Sequence, residues 1–122
     1  MRNFREYDIW IDSMELVNNI YDLVGYFPKN EQYVLTSQMT RSAISIPSNI
    51  AEGASRNSEK DFARFLEIGL GSAFELETQV RIAVKRKYIS DDNKTRTIES
   101  LISLQKRISA LRFKVVGNNK LS

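Results

Sequence analysis

The sequence predicts an all-α fold: an antiparallel, up-down-up-down four-helix bundle forming one domain over residues 1–122. Three observations lead there. Apolar residues recur at helical spacing in four long stretches. Only two prolines and five glycines occur in 122 residues, while strong helix formers are plentiful. The stretches are joined by brief turns, and helices of similar length on short connections pack most simply as antiparallel neighbours.

The first helix is expected over 4–26. Tyr7, Trp10, Met14, Val17, Tyr21 and Val24 fall three or four residues apart on one stripe, with Ile9, Leu16 and Leu23 on a second stripe beside it. Pro28 ends it by biasing Phe27 away from helical geometry. A second helix, 31–53, starts from a cap at Asn30 or a neighbour and carries Leu35, Met39, Ala43, Ile46 and Ile50 inward. Pro47 interrupts that pattern; an interior proline costs about 3 kcal/mol unless neighbours compensate, and the unbroken period favours a kinked but continuous helix.

Ser58, followed by Glu59 and Asp61, reads as the N-cap of a third helix, 58–87, with acids complementing its dipole. Its seam is Phe62, Leu66, Gly69, Ala73, Leu76, Val80 and Ala83. Gly69 and Gly71 each cost about 1 kcal/mol relative to alanine in mid-helix, which predicts a close helix approach there. After a turn at 88–92, Ser90 or an adjacent aspartate caps a fourth helix, 91–116, with Leu101, Leu104, Ile108, Leu111 and Val115 inward. Gly117 ends the pattern and a polar tail, 117–122, follows.

Composition removes much chemistry. With no cysteine and no histidine, the chain offers no disulfide, no thiolate metal site, no Ser-His-Asp or Cys-His pair and no Glu-x-x-His di-iron set. Glu52, Glu75 and Glu77 are the best remaining candidates for acid-base or metal work, and no Gly-rich phosphate loop accompanies them. The expectation is a protein that is not an enzyme and takes no cofactor or metal. No stretch approaches the roughly 18 to 20 apolar residues of a membrane span, so no membrane partner and a cytoplasmic location are expected.

The net charge of +3 is unevenly spread. Residues 1–40 hold 3 basic and 6 acidic side chains, residues 41–80 hold 4 and 6, and residues 81–122 hold 11 and 3. The basic third contains Arg81, Lys85, Arg86, Lys87, Lys94, Arg96, Lys106, Arg107, Arg112 and Lys114. Such asymmetry points to a polyanion, contacted through phosphates, against the simpler reading of a solvated helix face. Tyr7, Tyr21 and Trp10 read as packing residues on the core stripe; Tyr26, Tyr33 and Tyr88 lie near helix ends, where a base could stack on an exposed ring.

The middle of the chain is more distinctive. Arg41, Ser45-Ile46-Pro47, Asn49-Ile50-Ala51-Glu52-Gly53, Arg56, Ser58, Asp61-Phe62, Phe65-Leu66, Gly71-Ser72, Glu75-Leu76-Glu77-Thr78 and Ile82-Ala83 closely resemble the four-helix-bundle family encoded by intervening sequences inside bacterial large-subunit ribosomal RNA genes. The likeness extends more weakly through Phe27-Pro28-Lys29 and Leu35-Thr36-Ser37-Gln38. It departs at Lys85-Arg86-Lys87-Tyr88, which stands in place of a more apolar Leu-Gly-Tyr type of ending. The resemblance implies a bundle that assembles as a ring, typically a homopentamer, with relatives that include the accessory protein of diversity-generating retroelements.

If the second and third helices turn back at 55–57, residue i faces residue 112 − i, which brings Arg41 to the Gly71–Glu75 neighbourhood and predicts an Arg41–Glu75 ion pair. Asn49, Glu52 and Arg56 sit about the turn, either as a polar ligand site or as a network fixing Pro47 and Gly53. Arg41, Ser45, Pro47, Asn49, Glu52, Gly53, Arg56, Gly71, Glu75 and Glu77 form a structural and assembly set. The functional expectation is an oligomer that binds ribosomal RNA or a nucleoprotein complex, DNA being possible in principle. The alternative is a scaffold for a partner protein with no nucleic-acid contact.

Overall fold

The computed structural model describes residues 2–121, with side chains through Gly117. Four α-helices carry the fold: α1 Asp8–Val24, α2 Leu35–Ala54, α3 Glu59–Lys85 and α4 Asp91–Leu121. No strand occurs among the described residues. In space α2 lies between α1 and α3, and α4 lies between α3 and α1, so α1 is diagonal to α3 and α2 to α4. The α2–α3 and α3–α4 seams are the most extensive, α1–α2 is intermediate, and α1–α4 is the thinnest.

The core follows the predicted periodicity closely in three helices. Met39, Ala43, Ile46 and Ile50 of α2, Leu66, Ala73, Leu76, Val80 and Ala83 of α3, and Leu101 and Ile108 of α4 are fully buried. In α1 the buried line is Ile9, Ser13, Leu16, Ile20 and Val24. Met14 and Tyr21, expected inside, are about half exposed at 46% and 52%. Two adjacent apolar stripes leave helix rotation undetermined, and packing against α2 and α4 turned inward a line that takes Ile9 and Leu16 from the second stripe and Val24 from the first, with Leu23 only partly buried.

Several boundaries differ from the expected ones. The first helix does not start at residue 4: Phe4–Glu6 is a separate 3₁₀ turn, and extended Tyr7 (φ −74°, ψ 127°) divides it from α1. The second helix does not start at 31, because Lys29–Glu31 is a 3₁₀ turn and α2 begins after Val34, whose side chain provides no cap. Ser58 does cap α3, its Oγ accepting from Asp61 N at 3.0 Å, and Ser90 Oγ accepts from Asn93 N at 3.2 Å. In place of the expected break at Gly117, the α4 backbone stays helical to Leu121; Ser122 and the side chains from 118 onward lie outside the described residues.

Pro47 lies buried inside an uninterrupted α2. Gly53, near the end of the same helix, explains how closely α2 and α3 approach: a Cβ there would come 2.7 Å from Phe65 Cβ, an atom fixed to the α3 backbone. Gly71 is different. A Cβ there meets nothing within 4 Å, so no intrachain contact accounts for the glycine.

Candidate nucleic-acid interface

The polar residues of α2 and α3 are arranged in a closed seam. Ser45 Oγ and Ser72 Oγ are 2.7 Å apart, Asn49 Nδ2 donates to Ser45 O at 2.8 Å, and Ser42 Oγ donates to Glu75 at 2.7 Å. The paired numbers sum to 117 in both cross-helix pairs, where the sequence predicted 112, because α2 runs on to Ala54 and the turn centres between 58 and 59. Glu75 therefore faces Ser42. Arg41, one position around the helix, is exposed and makes no ion pair with Glu75 among the described residues, which corrects the expected pairing.

Around the α2–α3 turn, Arg56 pairs with Glu52 at 2.8 Å and lies over the Phe65 ring at 4.7 Å. Sequence reasoning missed Arg2. Its guanidinium donates to Ala54 O at 3.3 Å and Arg56 O at 2.6 Å, pairs with Glu59, and covers the Phe62 ring at 4.5 Å, strapping the N-terminal segment across this turn. No local pattern points to it, because its partners lie 52 to 57 residues further along the chain. Tyr7 stacks on the same Phe62 ring, and burial raises its phenol pKa.

The opposite end of the bundle is cationic. Arg86 caps α3, and Lys87 follows with φ 65°, in left-handed geometry, so that Tyr88 N reaches Ala83 O and Lys87 N reaches Val84 O, both at 2.9 Å. This is the Schellman ending, at the position glycine takes most cheaply, since a Cβ costs roughly 1 kcal/mol there. The departure from a Leu-Gly-Tyr type of ending thus exchanges backbone comfort for a charge. Tyr88 braces the end: its hydroxyl donates to Glu31 at 2.9 Å and its ring packs on Phe27 with centroids 5.3 Å apart. Hydrogen bonding to the Tyr88 side chain, with the Coulombic attraction of the same group, raises the Arg86 pKa.

Of the ten basic residues singled out, the structure engages three in ion pairs. Arg81 pairs with Glu77 at 2.9 Å, Arg107 with Asp12 at 2.7 Å and Arg112 with Glu67 at 3.2 Å. Lys85, Arg86, Lys87, Lys94, Arg96, Lys106 and Lys114 form no ion pair among the described residues. The first five gather about the α3–α4 turn, and the last two continue along α4. Tyr26 and Tyr33, on the neighbouring α1–α2 connection, are 85% and 86% exposed. Asp91 and Asp92 stand in the first turn of α4, where they complement its dipole and temper the local charge.

The glutamates considered for catalysis are apart and occupied. Glu52 holds Arg56, Glu75 holds Ser42, and Glu77 accepts from Gln105 at 2.8 Å and from Arg81, which lowers its pKa. Among the described residues no group of three or more carboxylates is placed to hold a metal, and no helix is long and apolar enough to cross a membrane.

Fold and surface together define a four-helix-bundle protein with basic side chains gathered at one end. The chain belongs to the 23S rRNA-intervening sequence protein family, whose model matches residues 5–110. A solved structure from Bacteroides thetaiotaomicron VPI-5482, described as a protein with unknown function from the S23 ribosomal protein family, is similar to it: 26% identity, a TM-score of 0.78, covering 85% of this chain and 97% of that one. No significant match was found among curated proteins.

Proposed function

We propose that this protein is a non-catalytic, ring-forming cytoplasmic bundle that binds ribosomal RNA or a nucleoprotein complex through phosphate contacts at its cationic end. The observation that carries the reading is Lys87, a cation held in a conformation that favours glycine, amid Lys85, Arg86, Lys94 and Arg96. The name of the family supports ribosomal RNA as the polyanion. Affinity of this kind falls with salt, by a slope of roughly 0.7 to 0.9 in log–log terms per phosphate neutralised.

Two unlike apolar surfaces support self-assembly. A groove of about 410 Å³ between α1 and α2 is lined by Trp10, Met14, Val17 and Ile44. Across the bundle, Phe113, 81% exposed, stands beside Phe74 and Ile102 on the α3–α4 face. Unlike patches on opposite faces join head to tail, and such contacts close into rings; we take a homopentamer as the assembly. Repeating the cationic end around a ring raises avidity for RNA without any new contact.

A gel-shift titration over salt tests the reading. Wild type is expected to bind structured RNA tightly at about 50 mM salt and progressively less above it, with Lys85, Arg86 and Lys87 changed together to glutamine reducing the salt slope. No shift at that salt, with light scattering showing an intact oligomer, defeats it and leaves the scaffold for a partner protein as the better reading. Phe113→Glu is expected to give a smaller species by light scattering.

A further inference from the structure

We infer that the cleft between α1 and α4 takes one unpaired guanosine of a bound RNA. The inference rests on the RNA-binding reading above and deepens it.

The α1–α4 seam stays open because both helices turn polar side chains to it. Asn19 and Asp22 lie three residues apart on α1, with Tyr26 just past its C-terminal end, and Asn93, Arg96 and Ser100 follow one another at steps of three and four along α4. Between them lies a cleft of about 440 Å³, within the range of small-molecule sites, floored by Leu16 and Thr97.

Thr97 is the second, independent observation. Thr40, Thr78 and Thr95 each return their hydroxyl to the helix carbonyl four residues back. Thr97, only 8% exposed, makes no hydrogen bond among the described residues and lines the cleft, so its hydroxyl is open to an occupant. Asn19, Asp22, Glu99 and Ser100 also make no side-chain hydrogen bond with one another or with any described residue.

Charge decides what enters. Asp22 and Glu99 outnumber Arg96 on the walls and disfavour phosphate inside; Arg96, held to Asn93 Oδ1 at 3.4 Å, and Lys94 beside it meet the sugar-phosphate chain at the rim, and the uncharged base is the part that goes in. Tyr26, 85% exposed, supplies a flat face at the mouth for stacking. Carboxylates accept and do not donate. Guanine is the base whose pairing edge presents two adjacent donors, the ring N–H and the exocyclic amine, to match a carboxylate in bidentate fashion.

The test compares three RNA hairpins of equal length: fully paired, with one bulged guanosine, and with one bulged uridine. The bulged guanosine is expected to raise affinity at least fivefold over the other two, in line with measured base-stacking losses. Tyr26→Ala and Asp22→Asn abolish that increment and leave the fully paired hairpin unaffected, while Tyr26→Phe retains it; both sites are exposed, and circular dichroism checks the fold. Equal affinity for all three hairpins, or an equal loss on every hairpin in Tyr26→Ala, overturns the inference while leaving the cationic surface intact. Guanosine, titrated alone and followed through the Thr97 methyl and Asn19 side-chain amide NMR signals, separates the two readings. Shifts there with no hairpin binding support the cleft and defeat the surface; unmoved signals defeat the cleft.

Discussion

The α2–α3 and α1–α4 seams join helices of the same bundle by opposite means. At α2–α3, small residues bring the backbones together and polar groups pair across the seam: Gly53 sits against Phe65, Ser42 donates to Glu75, and Ser45 meets Ser72. At α1–α4, longer polar side chains keep the helices apart, and the Asp12–Arg107 pair at 2.7 Å closes one end of an otherwise unfilled cleft. The lesson is that the densest sequence motif marks the tightest packing, whereas the open surface lies where the sequence is plainest.

The largest expected effect breaks the tight seam. Gly53→Ala places a Cβ against Phe65 Cβ, which cannot move without its helix, and is expected to destabilise by about 2 kcal/mol, read as a lower urea midpoint at unchanged slope. An alanine tolerated without loss would mean that α2 and α3 are not so closely held. Next is Glu75→Ala, which leaves the Ser42 hydroxyl, 3% exposed, without an acceptor at a cost of about 1 to 2 kcal/mol; Glu75→Gln keeps an acceptor and is expected to restore most of it.

A smaller effect sharpens the α3–α4 side. Hydrogen bonds from Gln105 and then Arg81 hold Glu77 below the usual carboxylate pKa. A depressed pKa contributes stability that is present above the unfolded value and is lost as pH falls through the folded one, so acid unfolding curves should show this loss below the ordinary carboxylate range. Gln105→Met removes the main donor and is expected to shrink that acid-dependent loss; identical pH profiles would show that the bond is not felt. The smallest effect belongs to the open seam. Asn19→Ala is expected to change stability by less than about 0.5 kcal/mol in thermal unfolding, since Asn19 is exposed and makes no side-chain bond among the described residues. A loss rivalling that at Gly53 would erase the contrast.

Much of the fold was legible because helical period and capping are local. Ser58 before Glu59 and Asp61, Ser90 before Asp91, and the inward rows of α2, α3 and α4 are all carried by residues a few positions apart. The first helix was harder. Tyr21 and Met14 satisfy the same period as Leu16 and Ile20, and only the neighbouring helices decide which row turns inward. The Arg41–Glu75 expectation failed for a related reason: a shift in the turn centre sets the register of two long helices, and one position on α2 moves a side chain by about 100°.

The site was less legible than the fold. The sequence located the basic residues but not which were engaged; ion pairs to Asp12 and Glu67 come from other helices. By itself, then, the sequence determined four amphipathic helices, the absence of thiol and imidazole chemistry, the family likeness and a cationic C-terminal third, since each depends on residue type and near spacing. Only the tertiary structure decided the helix rotation, the pairing of Glu75 with Ser42, the strap at Arg2, the left-handed Lys87 and the cleft between α1 and α4. Those depend on which distant surfaces meet, and the burial, sterics and hydrogen bonding that settle them act across the fold rather than along the chain.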